Sequence, residues 1–273
     1  MDNRENLTSY DNVESVQLHE LTEEGLRAYM KAKLESAKSN QRFIERFVYA
    51  GTPIKVCEIG SGNSKLLYAL EMDNVLGRGA AYEVSQSRYE MAEKFKELLG
   101  SQNVRNINAN FLDIPPSNDS YDLVVMVDIV FQIVAPLYDK AVEETLTWIR
   151  DSLHPSGKVF MEIEDFSAAF AEIEANDGVL QKWVEFDEAD PFQYALHRIT
   201  RDEDGNLVVQ KTHIRRNSNE RDRFQNVIRS YTEKDMVQLL EHHGFDVQIF
   251  PGEFEAGEYR GTKRFRVLAT KRD

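Results

Sequence analysis

Apolar residues first recur at helical spacing, at Leu26, Met30, Leu34, Phe43, Ile44 and Phe47, and so predict one long amphipathic helix. Thr22 stands as its N-cap, and Glu23 and Glu24 favour the positive end of the helix dipole. Leu21 and Leu26 are spaced to close over that cap as a hydrophobic staple. Gly51 and Pro53 stop the helix. Residues 1–20 are polar and predict a loose arm.

Short β-rich runs then alternate with helical ones. "IKVCEI" (54–59) is an apolar strand, followed by the turn "GSGNS" and a helix at "SKLLYALE". "GAAYEV" (79–84) is a second strand, after which Ser87 and Glu90 have the spacing of a capping box for a helix ending at Gly100. "VRNINANF" (104–111) and "YDLVVMVDIV" (121–130) are further strands. A helix with Val142, Leu146, Ile149 and Leu153 on one face stops at "HPSG", and "KVFMEIE" (158–164) is a fifth strand. Such alternation means right-handed βαβ units and a parallel sheet covered on both faces.

After residue 165 the rhythm changes. "SAAFAEIEA" and "VLQKWVEF" read as helical, while "FQYALHRIT" and "LVVQKTHIR" flank the turn "RDEDGN" as a β-hairpin. "NVIRSY" is placed to add a third antiparallel strand. Thr232 caps one more helix, ended by Gly244, and "FDVQIF" and "RFRVLAT" are the last two strands. An antiparallel segment inside an α/β chain reads as a lobe over the sheet's C-terminal edge, where ligands of such folds bind. Four parts are expected: an arm and helix covering the site (1–50), a cofactor-binding α/β core (51–165), an inserted substrate-covering lobe (166–229) and the rest of the core (230–273).

Composition narrows the classes. A length of 273 residues can bury a full core, and 41% hydrophobic with 29% charged residues is that of a globular protein. The net charge of −14 offers polyanions no general attraction, which argues against nucleic acid and anionic membrane. The single cysteine, Cys57, leaves no internal disulfide, and the polar first residues carry no signal-peptide core, so a cytoplasmic protein is expected. No His, Cys and carboxylate spacing suggests a metal.

The turn after the first strand, "EIGSGNSK" (58–65), is the candidate for chemistry. A Walker phosphate loop needs Gly-Lys-Ser/Thr, which is missing. A dinucleotide fingerprint fits Gly60 and Gly62 but meets Lys65 where a third small residue packs helix on strand. Taken alone, the two glycines leave a ligand-free turn and a nucleotide site equally open. Glu83, at the end of the second strand, is placed to accept both hydroxyls of a ribose, and Asp113, after the third, to accept from an adenine amino group. With Glu58, that makes three acids at the ends of three successive strands.

The series "VCEIGSGNS", "AAYEVS", "NFLDIP", "YDLVVMVDIVFQI" and "LHPSGKVFMEI" resembles the class I S-adenosylmethionine-dependent methyltransferases, in order and interval, across residues 54–164. The tail "SYTEKDMVQLLEHHGFDVQIF" and "RFRVLATK" is similar to that family's last helix and two strands. The resemblance implies a Rossmann-like three-layer αβα sandwich. Its seven-stranded sheet would be mostly parallel with an antiparallel last strand, and here it would carry a small inserted antiparallel β lobe. It implies S-adenosylmethionine as cofactor and S-adenosylhomocysteine as product. Glu58, Gly60 and Gly62 would surround the methionine moiety, Glu83 would bind the ribose and Val84 would lie on the adenine face. Leu112 and Asp113 would meet the adenine edge, and Asp128 would lie near the sulfonium. Ser64 stands where many members have a third glycine and is small enough to cap the helix. Cys57 reads as core.

The resemblance says less about the methyl acceptor. Members acting on planar amide or base nitrogens carry Asn/Asp-Pro-Pro-Tyr after the fourth strand, and here Asp128-Ile129-Val130-Phe131 stands there. The apolar wall of Ile129 and Phe131 and the inserted lobe imply a small-molecule acceptor, sugar or natural-product-like, methylated on oxygen or nitrogen; a homodimer stays open. Candidates for proton removal are His197 and His213 on the hairpin, Tyr231 and Asp128. His242 and His243 suit a helix C-terminus, His154 belongs to the "HPSG" turn and His19 to the arm. Two other readings remain, a nucleotide-dependent oxidoreductase and a non-catalytic adenosyl-binding regulator.

Overall fold

The computed structural model describes residues 18–116, 121–186, 188, 191–218, 220–251 and 263–272. Most of the expected arm (1–17) lies outside them. Helix α1 (Glu23–Phe47) starts as expected, with Thr22 Oγ1 accepting from Gly25 N at 3.1 Å. Leu21 and Leu26 pack into one apolar cluster, as a staple requires.

The alternating segment forms β1 (Ile54–Ile59), α2 (Lys65–Met72), β2 (Leu76–Glu83), α3 (Gln86–Leu99), β3 (Val104–Asn108), β4 (Tyr121–Met126), α4 (Val130–Val134), α5 (Ala141–Ser152) and β5 (Leu153–Asp165). The lobe follows as α6 (Ser167–Ala175), β6 (Leu180–Glu185), β7 (Phe192–Arg201), β8 (Leu207–Arg215) and β9 (Arg221–Ile228). The chain then completes the core with α7 (Glu233–His242), β10 (Phe245–Pro251) and β11 (Lys263–Lys271). The seven-stranded sheet has the order β10-β11-β5-β4-β1-β2-β3, parallel except that β11 runs antiparallel between β5 and β10. The fold is therefore the Rossmann-like αβα sandwich that the resemblance implied.

Strand alternation divides the core between two faces. Leu123 and Val125 of β4 join α1, α2 and α3 through Ile44, Leu67 and Phe95. Val124 and Met126 face α5 and α7 through Leu146, Ile149, Met236 and Leu240. The order reverses at β1, with β2 and β4 on either side, and this switch point is where the site lies.

Four local expectations are corrected. Ser85, not Ser87, caps α3, accepting from Arg88 N, because β2 ends at Glu83 and leaves Ser85 in the extended conformation that a cap requires. "VLQKWVEF" contributes not a helix but a strand, β6, paired antiparallel to β7, and its exposure alternates residue by residue, with a period of two. Leu153 opens β5 instead of closing a helix face. The third strand stops at Asn108, and Phe111–Asp113 turn as a short 3-10 helix.

The lobe forms a separate four-stranded antiparallel sheet, β6-β7-β8-β9. Strand β9, expected from "NVIRSY" as a third antiparallel strand, is the fourth and begins earlier, at Arg221. Ile199, Leu207, Val209 and Ile228 of this sheet pack with α6 and against Ile129 of the core.

Candidate active site

The glycine turn is built on left-handed backbone. Gly60 and Gly62 have φ of 65° and 57°, and Ser64 follows at 58°. Ser64 thus takes a left-handed conformation that a glycine would adopt without strain. It does not cap α2 with its side chain, contrary to expectation; its hydroxyl donates instead to Asn106 Oδ1 at 2.8 Å. Gly60 N and Ser61 N donate to Tyr82 O, which ties the turn to β2. A Cβ on Gly60 would come within 2.7 Å of Val130 Cγ1, whereas one on Gly62 would meet nothing within 4 Å. The first glycine therefore allows α4 to approach, and the second leaves backbone bare towards the cavity.

Glu83 organises the rim. One carboxylate oxygen accepts from Gly62 N at 2.7 Å and the other from Ser85 N at 2.8 Å, so a single side chain fixes both strand-to-helix turns. Glu83 and Val84 line a narrow apolar cavity with Tyr82, Asn110, Phe111 and Ile133. Leu112 packs into the core and Asp113 is exposed; the structure brings neither among the residues lining that cavity and places Asn110 and Phe111 there instead.

A second cavity of about 310 Å³ adjoins the first, sharing Gly60, Arg88, Val130 and Ile133 with it. Glu58, Gly62, Lys65, Asp128 and Arg264 also line it, and Lys33 reaches it from α1. Burial pushes the Glu58 carboxyl up to about 8; Asp128 and Glu83 add to the rise and Lys65 opposes it. Glu58 Oε2 is buried with no hydrogen-bond partner among the described residues. An orphaned acid beneath a bare glycine turn suits a ligand bearing an ammonium group. Cys57 beside it is fully buried and its thiol is pushed far up by that burial, as befits an unreactive core residue.

Asp128 and Ile129 have φ of 53° and 60°, two consecutive non-glycine residues in left-handed backbone, the second of them β-branched. Such a corner costs on the order of 1–3 kcal/mol per residue and is held only where its surroundings impose it. Here Asp128 N donates to Glu162 Oε2 at 3.1 Å, and its carboxylate meets Lys65 Nζ at 3.0 Å. Desolvation pushes the Asp128 carboxyl up, but Lys65, with Arg264 and Arg88, holds it below the ordinary carboxylate range. Burial, with Asp128 nearby, raises that of Glu162. Behind the corner, the buried Arg266 donates to Ser39 Oγ and Asn40 Oδ1 of α1 and faces Glu162, so the helix covering the site and the strained turn share one polar network.

Residues 27–248 match the family described as methyltransferase domain. The chain belongs to that family. Its cofactor is S-adenosylmethionine. The methyltransferase is also similar in fold to solved structures across almost its whole length. An S-adenosylmethionine-dependent methyltransferase from Clostridium acetobutylicum is 13% identical, with a TM-score of 0.67, covering 97% of this chain and 96% of its own. The CcbJ methyltransferase from Streptomyces caelestis is 14% identical, with a TM-score of 0.69 and coverage of 98% and 99%. CalS10, an amino pentose methyltransferase from Micromonospora echinaspora, is 12% identical, with a TM-score of 0.58 and coverage of 88% and 91%. No curated protein matches the sequence.

The methyltransferase keeps its lobe histidines away from both cavities. His213 is enclosed by Phe186, Phe192 and Phe224, with ring centroids 5.4, 5.0 and 4.9 Å away. Burial, helped by Lys211, drives its pKa down to about 4. His197 is 6% exposed in mid-sheet, paired across the strands with Lys182 and Lys211. Tyr231 packs on Phe131 at 5.6 Å. None of the three is among the residues lining either cavity. Another cavity, of about 800 Å³, lies on the lobe sheet beside Trp183, Leu196, His197 and Arg223, and shares no residue with the other two. Lys33, Arg88, Asn110 and Ile133 are site residues that sequence reasoning missed. Lys65, a misfit to the dinucleotide fingerprint, lines the second cavity and pairs with Asp128.

No helix among the described residues is long and apolar enough to cross a membrane, and no cluster of possible metal ligands occurs among them.

Proposed function

We propose that the methyltransferase transfers a methyl group to an amine nitrogen of a small, sugar- or natural-product-like molecule. The observation that carries this is the set of groups around the methyl-end cavity: carboxylates and cations, with no imidazole. A hydroxyl acceptor has a pKa far above neutral and benefits from a positioned base titrating near 7. An ammonium has only to shed one proton before its lone pair can attack, and proximity then does most of the work. Asp128, held ionised beside the apolar Ile129 and Val130, is suited to attracting and aligning such a group. His197, His213 and Tyr231 have no part at the methyl in this reading. The names of CalS10, of KedS8, a sugar N-methyltransferase, and of MtfA, a glycopeptide N-methyltransferase, support an amine acceptor through fold likeness alone.

The cofactor supplies an electrophilic methyl on a sulfonium. Glu58, Gly60 and Gly62 surround its methionine moiety, in a cavity that Lys33 and Arg88 also line. Glu83 accepts from its ribose and Val84 covers its adenine. Residues 166–229 shape the acceptor side, and the enzyme works in the cytoplasm.

The test is to offer deuteromethyl-labelled S-adenosylmethionine with a panel of amino sugars and their hydroxyl analogues, and to follow the label by mass spectrometry. Label on nitrogen supports the reading; label on the hydroxyl analogues alone overturns it.

A further inference from the structure

The lobe joins the core at two chain crossings, one leaving β5 at residues 164–166 and one returning from β9 at residues 228–230. Both are tied to one side chain. Gln132, on the short helix α4, is fully buried. Its Nε2 donates to Glu164 O and to Arg229 O, each at 2.8 Å. Its Oε1 accepts from Glu164 N at 2.7 Å, and its backbone carbonyl accepts from Arg229 N at 3.0 Å. Beside it, Phe166 N donates to Ser230 Oγ at 3.0 Å, joining the crossings to each other. A buried carboxamide that bonds the backbone of two remote segments fixes their separation, because any shift of either leaves a polar group unpaired.

The same helix forms the wall shared by both cofactor cavities. Val130 and Ile133 line each of them, while Ile129 at its start packs against Phe166, Ala169 and Ile228 of the lobe. A ligand that packs against Val130 and Ile133 therefore biases the position of α4, and Gln132 carries that bias to both lobe connections. We propose that Gln132 is a positioning residue that holds the lobe in register with the cofactor site, so that lobe order follows cofactor occupancy. This rests on the reading of the two cavities as the cofactor site.

Hydrogen–deuterium exchange with mass spectrometry tests it. Wild type, Gln132→Glu and Gln132→Leu are compared with and without S-adenosylhomocysteine, each at saturation by its own Kd. In wild type the ligand should slow exchange across β7, β8 and β9 by about tenfold or more. In both variants that lobe protection should fall to roughly threefold or less, while protection of β1 and β2 persists and Kd stays within about threefold. A merely structural role would loosen lobe and core alike. Should both Gln132 variants fail to fold, Ser230→Ala loosens the same junction from outside the helix, and its lobe protection decides. Undiminished lobe protection in the folded variants, or none in wild type, overturns the proposal. Failure of wild type to bind S-adenosylhomocysteine would instead overturn the cofactor assignment.

Discussion

Glu83→Ala should weaken S-adenosylhomocysteine binding by about tenfold to 100-fold. In the structure the Glu83 carboxylate already accepts from Gly62 N and Ser85 N, and a carboxylate has about four lone-pair sites, enough to take ribose hydroxyls as well. A hydrogen bond to a charged group is worth about 1.5–3 kcal/mol, and each 1.4 kcal/mol is tenfold in affinity, so the net loss of one ribose contact gives that range. The truncation also leaves two backbone donors at the rim unpaired, so stability should fall by about 2–4 kcal/mol. Glu83→Gln separates the two effects. It keeps the size of the side chain, but its amide must turn an N–H towards one of the two backbone donors. Calorimetric titration beside thermal unfolding resolves affinity from stability. A folded Glu83→Ala protein that binds S-adenosylhomocysteine within about twofold of wild type would refute both the ribose role and the assignment of the adjoining cavity.

Further outcomes follow from the same geometry. Gly60→Ala, which adds a clash with Val130 to left-handed strain, should lose cofactor binding, whereas Gly62→Ala should cost only about 1–2 kcal/mol of stability; melting curves and titration compare them. Glu58, raised to about 8, is largely protonated at pH 7, and a cationic amine beside it favours the ionised form. Binding of S-adenosylhomocysteine should therefore release a proton and tighten from pH 6 to 8, and calorimetry in buffers of different ionisation enthalpy should show the release vanish in Glu58→Gln. Asp128→Asn should lower kcat by about 100-fold with an amine acceptor found by the labelling experiment, while the cofactor Kd changes little; near-normal turnover would remove Asp128 from acceptor alignment. His213 stays neutral in the fold down to about pH 4, whereas in the unfolded chain it takes up a proton below about 6.5. Stability should thus fall on acidification between those values, and His213→Phe should flatten that fall in denaturant titrations without changing turnover.

The core was legible because its signals are local. The glycine turn, the acid ending β2 and the strand-helix alternation are each written in a few neighbouring residues. The lobe was harder to read: Trp183 and Val184 sit in a run whose alternation is partly hidden by helix-forming Leu180, Gln181 and Lys182. The hairpin of His197 and His213 was visible, but not their environments, since the ring of Phe186, Phe192 and Phe224 is assembled from three separate segments. The same holds for the site's second layer. Gln132 meets Arg229 from 97 residues away and Asp128 meets Glu162 from 34, contacts that no periodicity announces.

The position of β11 also sets the order in which the molecule can be made. It lies between β5 and β10 and pairs with both, so β5 keeps an open edge until residues 263–271 have been synthesised. During synthesis, the strand that ends at the lobe junction presents unpaired backbone and apolar Val159, Met161 and Ile163 to whatever meets it first. Strand pairings this distant in sequence form late, and an exposed edge in the meantime is an aggregation hazard. A nascent chain halted before β11 should therefore be a chaperone client or an aggregate, even though every residue of the cofactor turn is already in place.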